Sequence, residues 1–202
     1  FPLGRDGNGD QGARFIDING DGRVDFVYVQ ENNRQVWLNN GSGWTRTPGY
    51  DLPTFFVYDN GNPAGGMLVD VDADGLPDLV IARSGTNGVY RNTGSGWTAL
   101  QTSWALPTML YVSDRDNGVR FVDLNGDGLP DILQGRADVN GSWLAANAWL
   151  NTGSGWTVAS RSAPRQPLVR DDYPVWGAAL ADVNADGLVD FVCHHWNGQT
   201  SY

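Results

Sequence analysis

Short apolar runs rich in β-branched and aromatic residues recur along this chain, each bounded by Gly, Asn and Asp. Examples are Arg14-Phe15-Ile16, Phe26-Val27-Tyr28-Val29, Leu79-Val80-Ile81, Arg120-Phe121-Val122, Ile132-Leu133 and Phe191-Val192. Runs of this length and composition predict β-strands. No stretch carries the i, i+3, i+4, i+7 apolar spacing of an amphipathic helix over three turns, so the pattern predicts an all-β chain. In one stretch it resolves into four strands: Met67–Val69, Leu79–Ala82, Val89–Asn92 and a fourth that begins near Trp97.

Between the first two strands of each group stands a nine-residue acidic loop, written four times. The oxygen-bearing side chains fall at positions 1, 3, 5 and 9: Asp17, Asn19, Asp21 and Asp25; Asp70, Asp72, Asp74 and Asp78; Asp123, Asn125, Asp127 and Asp131; Asp182, Asn184, Asp186 and Asp190. A glycine stands at position 6 in every copy, where the chain must turn sharply around an ion. A hard cation that takes six to eight oxygens fits this spacing, and calcium fits better than magnesium because the carboxylates are many and the loop is flexible. The loop starts like an EF-hand, but it has no Glu at position 12 and no flanking helices, which leaves a cation loop joining antiparallel strands. An empty loop of Asx turns is the competing reading, and it is disfavoured because carboxylates crowded without a cation repel one another.

A second marker sets the length of the unit. Trp44, Trp97 and Trp156 each end an Asn-x-Gly-Ser-Gly-Trp phrase. From the first Asp of a loop to its Trp is 27, 27 and 33 residues, and from each Trp to the next loop is 26. The repeat is therefore 53, 53 and 59 residues, with a six-residue insertion near Asp138–Ala146. The glycines supply a tight turn between strands 3 and 4, and a Trp of this size predicts packing between neighbouring sheets. Repeats of this length with four strands each point to propeller blades or a stacked array, either a closed small propeller or a segment of a larger one. The reading is one repeat domain over 1–202, with blades at about 13–53, 66–107, 119–164 and 178–202.

The D-x-[DN]-x-D-G-x-x-D loop between strands, once per four-stranded unit, resembles the FG-GAP/VCBS repeat family, which includes integrin alpha propellers and certain fungal propeller lectins. The resemblance covers nearly the whole chain. It implies about one calcium ion per repeat, held by the side chains named above together with one backbone carbonyl at position 7: Arg23, Leu76, Leu129 and Leu188 in the four loops. A non-enzymatic module is the expectation, because no Ser/His/Asp, Cys/His or paired-acid arrangement stands out from the acidic loops.

Charge agrees with that implication. The formal net charge is -10. Thirteen of the 23 acids lie inside the four loops, so four calcium ions would bring the domain close to neutrality. An acidic chain lacks the basic stripe that nucleic-acid binding wants, and no apolar run of eighteen residues is present to span a membrane. Loops of this kind in extracellular modules work at roughly 0.1 to 1 mM calcium, which makes the outside of the cell or its surface the expected location. Asn40-Gly41-Ser42 and Asn140-Gly141-Ser142 are glycosylation sequons in predicted loops, although Asn40 also belongs to the repeated turn phrase. The single cysteine, Cys193, excludes an internal disulfide. Its neighbours His194 and His195 have no patterned acid partner, and no catalytic constellation stands out from the cation loops.

The ends predict an unfinished unit. Tyr202 follows soon after the predicted second strand of the last repeat, and Gly4–Gly12 reads as a loop rather than as a strand that completes it. Either the chain is a piece of a longer protein, or each copy lends its open sheet edge to a neighbour in a filament of head-to-tail strand exchange. Recognition is expected on the variable loops opposite the cation loops, where polar and aromatic residues sit on a rigid scaffold. Trp143, Tyr173 and Trp176 are the candidate contacts for a protein or glycan ligand, with core packing as the competing role. A lectin, an adhesion module and a filament subunit that binds copies of itself all remain open at this point.

Overall fold

The computed structural model describes residues 10–171, 178–194 and 200–201. The chain divides into two compact units, Phe1–Asp114 and Arg115–Tyr202, and each contains two of the sequence repeats. In the first unit, blade 1 is built from Ala13–Ile16, Asp25–Val29, Arg34–Asn39 and Trp44–Arg46, and blade 2 from Gly66–Val69, Asp78–Arg83, Thr86–Asn92 and Trp97–Ala99. Both are four-stranded antiparallel meanders in which each strand pairs with the next.

In the second unit, blade 3 comprises Val119–Val122, Asp131–Ala137, Trp143–Asn151 and Trp156–Val158. Its second strand also takes a short parallel partner, Val169–Arg170. The sequence pattern did not foresee that strand. The Arg136–Asp171 ion pair at 2.8 Å, largely buried on both sides, fixes the chain there. Blade 4 shows three strands, Ala178–Ala181, Asp190–His194 and Thr200–Ser201.

One register rule holds in all four blades. The residue before the first loop Asp pairs with the ninth-position Asp: Ile16 with Asp25, Val69 with Asp78, Val122 with Asp131 and Ala181 with Asp190. The eight intervening residues thus leave and re-enter the ladder without slippage, and every inward side chain keeps its face. The insertion lengthens the hairpin of blade 3, with a register shift between Arg136 and Ala137 and a tip at Asp138–Ser142.

Apolar burial holds blades 1 and 2 together. Ile18, Val27, Val29, Val36, Tyr50, Leu52, Phe56, Val57 and Leu79 form one buried cluster, with Leu68, Tyr90 and Trp97 of blade 2 packed against it. Each such aliphatic side chain contributes about 1.5–3 kcal/mol relative to exposure. Trp97 behaves as the sequence predicts: its ring lies 5.7 Å from that of Tyr50, and its Nε1–H donates to the Tyr50 carbonyl at 3.1 Å.

Trp44 does not. It is 54% exposed, beside Phe15 at 6.4 Å, so the expectation that every repeat Trp is packed between sheets fails in blade 1. The reason is positional. Blade 2 has blade 1 on its Trp side, whereas among the described residues of the first unit no blade stands on the Trp side of blade 1. Trp156 is half-buried, edge-on to Phe121 at 6.1 Å.

Candidate metal centre

The four acidic loops share one backbone design. Position 6 has positive φ in each, at 82°, 90°, 87° and 86° for Gly22, Gly75, Gly128 and Gly187. Position 4 is left-handed as well: Gly20 and Gly126 in two loops, Ala73 at φ 56° and Ala185 at φ 61° in the others. The alanines carry a steric cost that glycine avoids. The sequence reading explained position 6 and passed over position 4.

The position-1 carboxylate organises this turn from within. Asp17 accepts the N–H groups of Gly20, Asp21 and Gly22, and Asp123 those of Asn125, Gly126 and Gly128. Asp70 and Asp182 each accept from positions 5 and 6. The position-5 carboxylate accepts the N–H of position 7 in every loop. In loop 3, burial works against ionisation of Asp123, but the surrounding backbone N–H groups outweigh it and hold the carboxyl below its usual range. The Arg23 N–H, followed by Asn19 and the Arg23 charge, likewise keeps Asp21 low against slight burial.

The ninth-position Asp has a structural task of its own. Asp25, Asp78 and Asp131 are fully buried. In all four loops its Oδ2 accepts the N–H of position 2, at 3.0, 3.0, 2.8 and 3.0 Å. In blades 1 to 3 its Oδ1 accepts the N–H of the strand 3 asparagine, Asn39, Asn92 or Asn151, at 2.7–2.8 Å. The loop is thereby tied to the start of the Asn-x-Gly-Ser-Gly-Trp phrase, which explains why the two motifs travel together. In blade 1 the two loops also lie side by side, with the Arg23 guanidinium 3.5 Å from where a side chain on Gly41 would begin.

Asn92 extends the tie across the blades. Its Nδ2 donates to the Ile18 and Pro77 carbonyls, and its Oδ1 accepts from the Gly94 N–H and the Tyr50 hydroxyl. Burial, eased by the bond to Asn92, pushes the Tyr50 phenol up to about 12. Nothing in the bare sequence singled out this asparagine beyond its place in the repeated phrase.

Whether the loops fit calcium is decided most clearly in loop 2. Asp70, Asp72 and Asp78 bring ligand oxygens within 4.8 Å of one another. Asp72 Oδ1 is buried and has no hydrogen-bond partner, which leaves an acceptor aimed at no donor. Burial, and then Asp74, raises Asp72, and burial raises Asp78 to about 7. Hard oxygen donors, an orphaned buried carboxylate oxygen and mutual repulsion are the conditions that a divalent cation relieves. The residues fit the ion. Loops 1, 3 and 4 present the same positions with an Asn at position 3, whose Nδ2 reaches the position-5 carboxylate.

The other predicted residues are scattered. Trp143 lies on blade 3 beside the inserted hairpin tip and is 43% exposed, together with Val139 and Leu144. Tyr173 and Trp176 lie outside the described residues. Asn40 and Asn140 are exposed; the Asn40 amide donates to Thr45, and Asn140 takes part in the hairpin turn. Sequence reasoning missed two apolar surfaces. One is the aromatic face of Phe15, Phe26, Trp37 and Trp44, over a shallow hollow of about 460 Å³. The other is a cleft of about 410 Å³ in the second unit, between Leu124, Leu133, Pro164, Leu180 and Phe191. It opens beside Ser162, the last residue of a short 3-10 turn that ends in Tyr50 and Trp104 in the first two repeats.

The sequence matches the FG-GAP-like repeat over residues 17–69 and 70–133, and the chain belongs to that family. Among solved structures, it is similar to an Agrocybe aegerita lectin described as recognising non-reducing terminal N-acetylglucosamine, with a TM-score of 0.54 and 21% identity over 89% of this chain and 45% of that one. It is also similar to the Photorhabdus luminescens Tc holotoxin pore, with a TM-score of 0.55 and 23% identity over 92% of this chain and 8% of the other. The chain thus spans less than half the length of either structure. No curated protein matches. The shared property is the fold, a series of propeller-type blades.

Proposed function

We propose that the chain is a calcium-stabilised, non-enzymatic scaffold of blades that works outside the cell or at its surface in recognition. The observation that carries this reading is the second loop, where three carboxylates converge and a buried Asp72 oxygen has no partner. The ion would take side-chain oxygens at positions 1, 3, 5 and 9, with the position-7 carbonyls of Arg23, Leu76, Leu129 and Leu188 completing the shell. When bound, it neutralises the loop and locks strand 1 to strand 2. The chain's own part is to pre-shape the turn through the position-1 and position-9 carboxylates, so that little ordering is left for the ion to drive.

Thermal melting of the purified chain in EDTA and in millimolar calcium tests this. At the roughly 0.1 to 1 mM affinity of extracellular modules, each filled site adds on the order of 1–2 kcal/mol, so the melting temperature should rise by several degrees in calcium. Asp127→Ala should lose part of that rise. Identical curves with and without calcium would sink the proposal.

Glycan recognition is the favoured form of binding, supported by the fold shared with an N-acetylglucosamine-recognising lectin and by exposed aromatic rings on this chain at Trp44 and Trp143. Aromatic faces offer large apolar area at low entropic cost. A glycan array probed in calcium reads this directly, and absence of any bound glycan would leave protein recognition in its place.

A further inference from the structure

The second loop has an arginine that holds two of its carboxylates, whereas in loop 1 Arg23 reaches the position-5 Asp21 alone, at 3.3 Å. Arg91, on strand 3 of blade 2, places Nε 2.7 Å from Asp72 and a terminal nitrogen 3.0 Å from Asp74. The same register position, directly opposite the threonine after the repeat Trp, holds Leu38 in blade 1 and Leu150 in blade 3. Loop 2 also differs at position 3, where Asp72 replaces the Asn of the other loops. That exchange removes the amide that reaches the position-5 carboxylate elsewhere and adds a fourth negative charge. Arg91 supplies both the missing donor and the missing positive charge.

Resting on the calcium reading of the loops, we infer that Arg91 is a built-in competitor for the ion in loop 2. Its guanidinium holds two carboxylates that the ion would need, so calcium enters this loop only as Arg91 leaves. The ion must displace charge-assisted hydrogen bonds, which are stronger than those between neutral groups. Arg91 is about half exposed, with a side-chain accessibility of 46%, so it has room to swing into solvent once released. Loop 2 therefore fills last, and it is the loop whose occupancy follows changes in calcium while the others stay loaded. Without Arg91 its four carboxylates would make it the tightest of the set.

Calorimetric titration of the full chain with calcium, after stripping with EGTA, tests this on wild type, Arg91→Leu and Arg91→Gln. Leucine already occupies this position in two other blades, and glutamine guards against a folding defect specific to leucine. The expected result is one weak site in wild type that tightens about tenfold or more in both variants, with the number of sites unchanged. Adding Asp70→Ala to Arg91→Leu should abolish the tightened site, which places it in loop 2. Calcium binding that is the same in wild type and variants, or weaker in the variants, overturns the competitor while leaving the calcium reading intact. No binding by any of the proteins overturns both.

Discussion

Asp25→Ala is expected to destabilise the first unit by about 3 kcal/mol even when all calcium has been removed, because two N–H groups, one buried and one half-buried, lose their acceptor at about 1–3 kcal/mol each. Those donors are Ile18 N at 3.0 Å and Asn39 N at 2.7 Å, and the carboxylate that serves them is fully buried. The alanine also leaves a void beside Ile18, whose side chain is in the unit's core. Urea denaturation in EDTA measures the effect without any contribution from the ion. A loss that appears only in calcium would mean that Asp25 is a ligand and nothing more, and the account of the ninth position would have to be withdrawn.

Asn92→Ala should cost about 2–4 kcal/mol, as several buried hydrogen bonds are lost together and the Gly94 N–H and Ile18 carbonyl lose a partner. The matched variant Asn39→Ala should cost well under half as much. Asn39 is only half-buried, and its side chain makes two bonds, to the Val24 carbonyl and from the Gly41 N–H, both within its own blade. Asn92 instead reaches the Ile18 carbonyl and the Tyr50 hydroxyl of the preceding blade. Comparing the two variants by denaturant midpoint isolates the cross-blade share. Equal losses would show that the asparagine matters only for the turn in which it sits.

The strands and the turn shape of the acidic loops were legible in the sequence because both are local. Alternating apolar runs beside Gly and Asp fix where a strand must stop, and four copies in one spacing fix the register between Ile16 and Asp25 and its three counterparts. The roles that depend on what lies across the sheet were not legible. Asp25 and Asp78 read as ligands alone, yet they are buried and each accepts the N–H of a residue fourteen positions later. Trp44 reads like Trp97, yet among the described residues of the first unit Trp97 has a neighbouring blade to lie on and Trp44 is exposed. The parallel strand Val169–Arg170 follows a stretch with no alternation, and it is held by Arg136 and Asp171, thirty-five residues apart. Nothing in the sequence pattern singles out Arg91, which the fold sets over Asp72 and Asp74.

The most direct test of the calcium scaffold is a crystal structure grown in millimolar calcium, with anomalous data collected at long wavelength. The account predicts an anomalous peak in the loops that open at Asp17, Asp70, Asp123 and Asp182, each ringed by the oxygens of positions 1, 3, 5 and 9. Ordered loops without any such peak would contradict it.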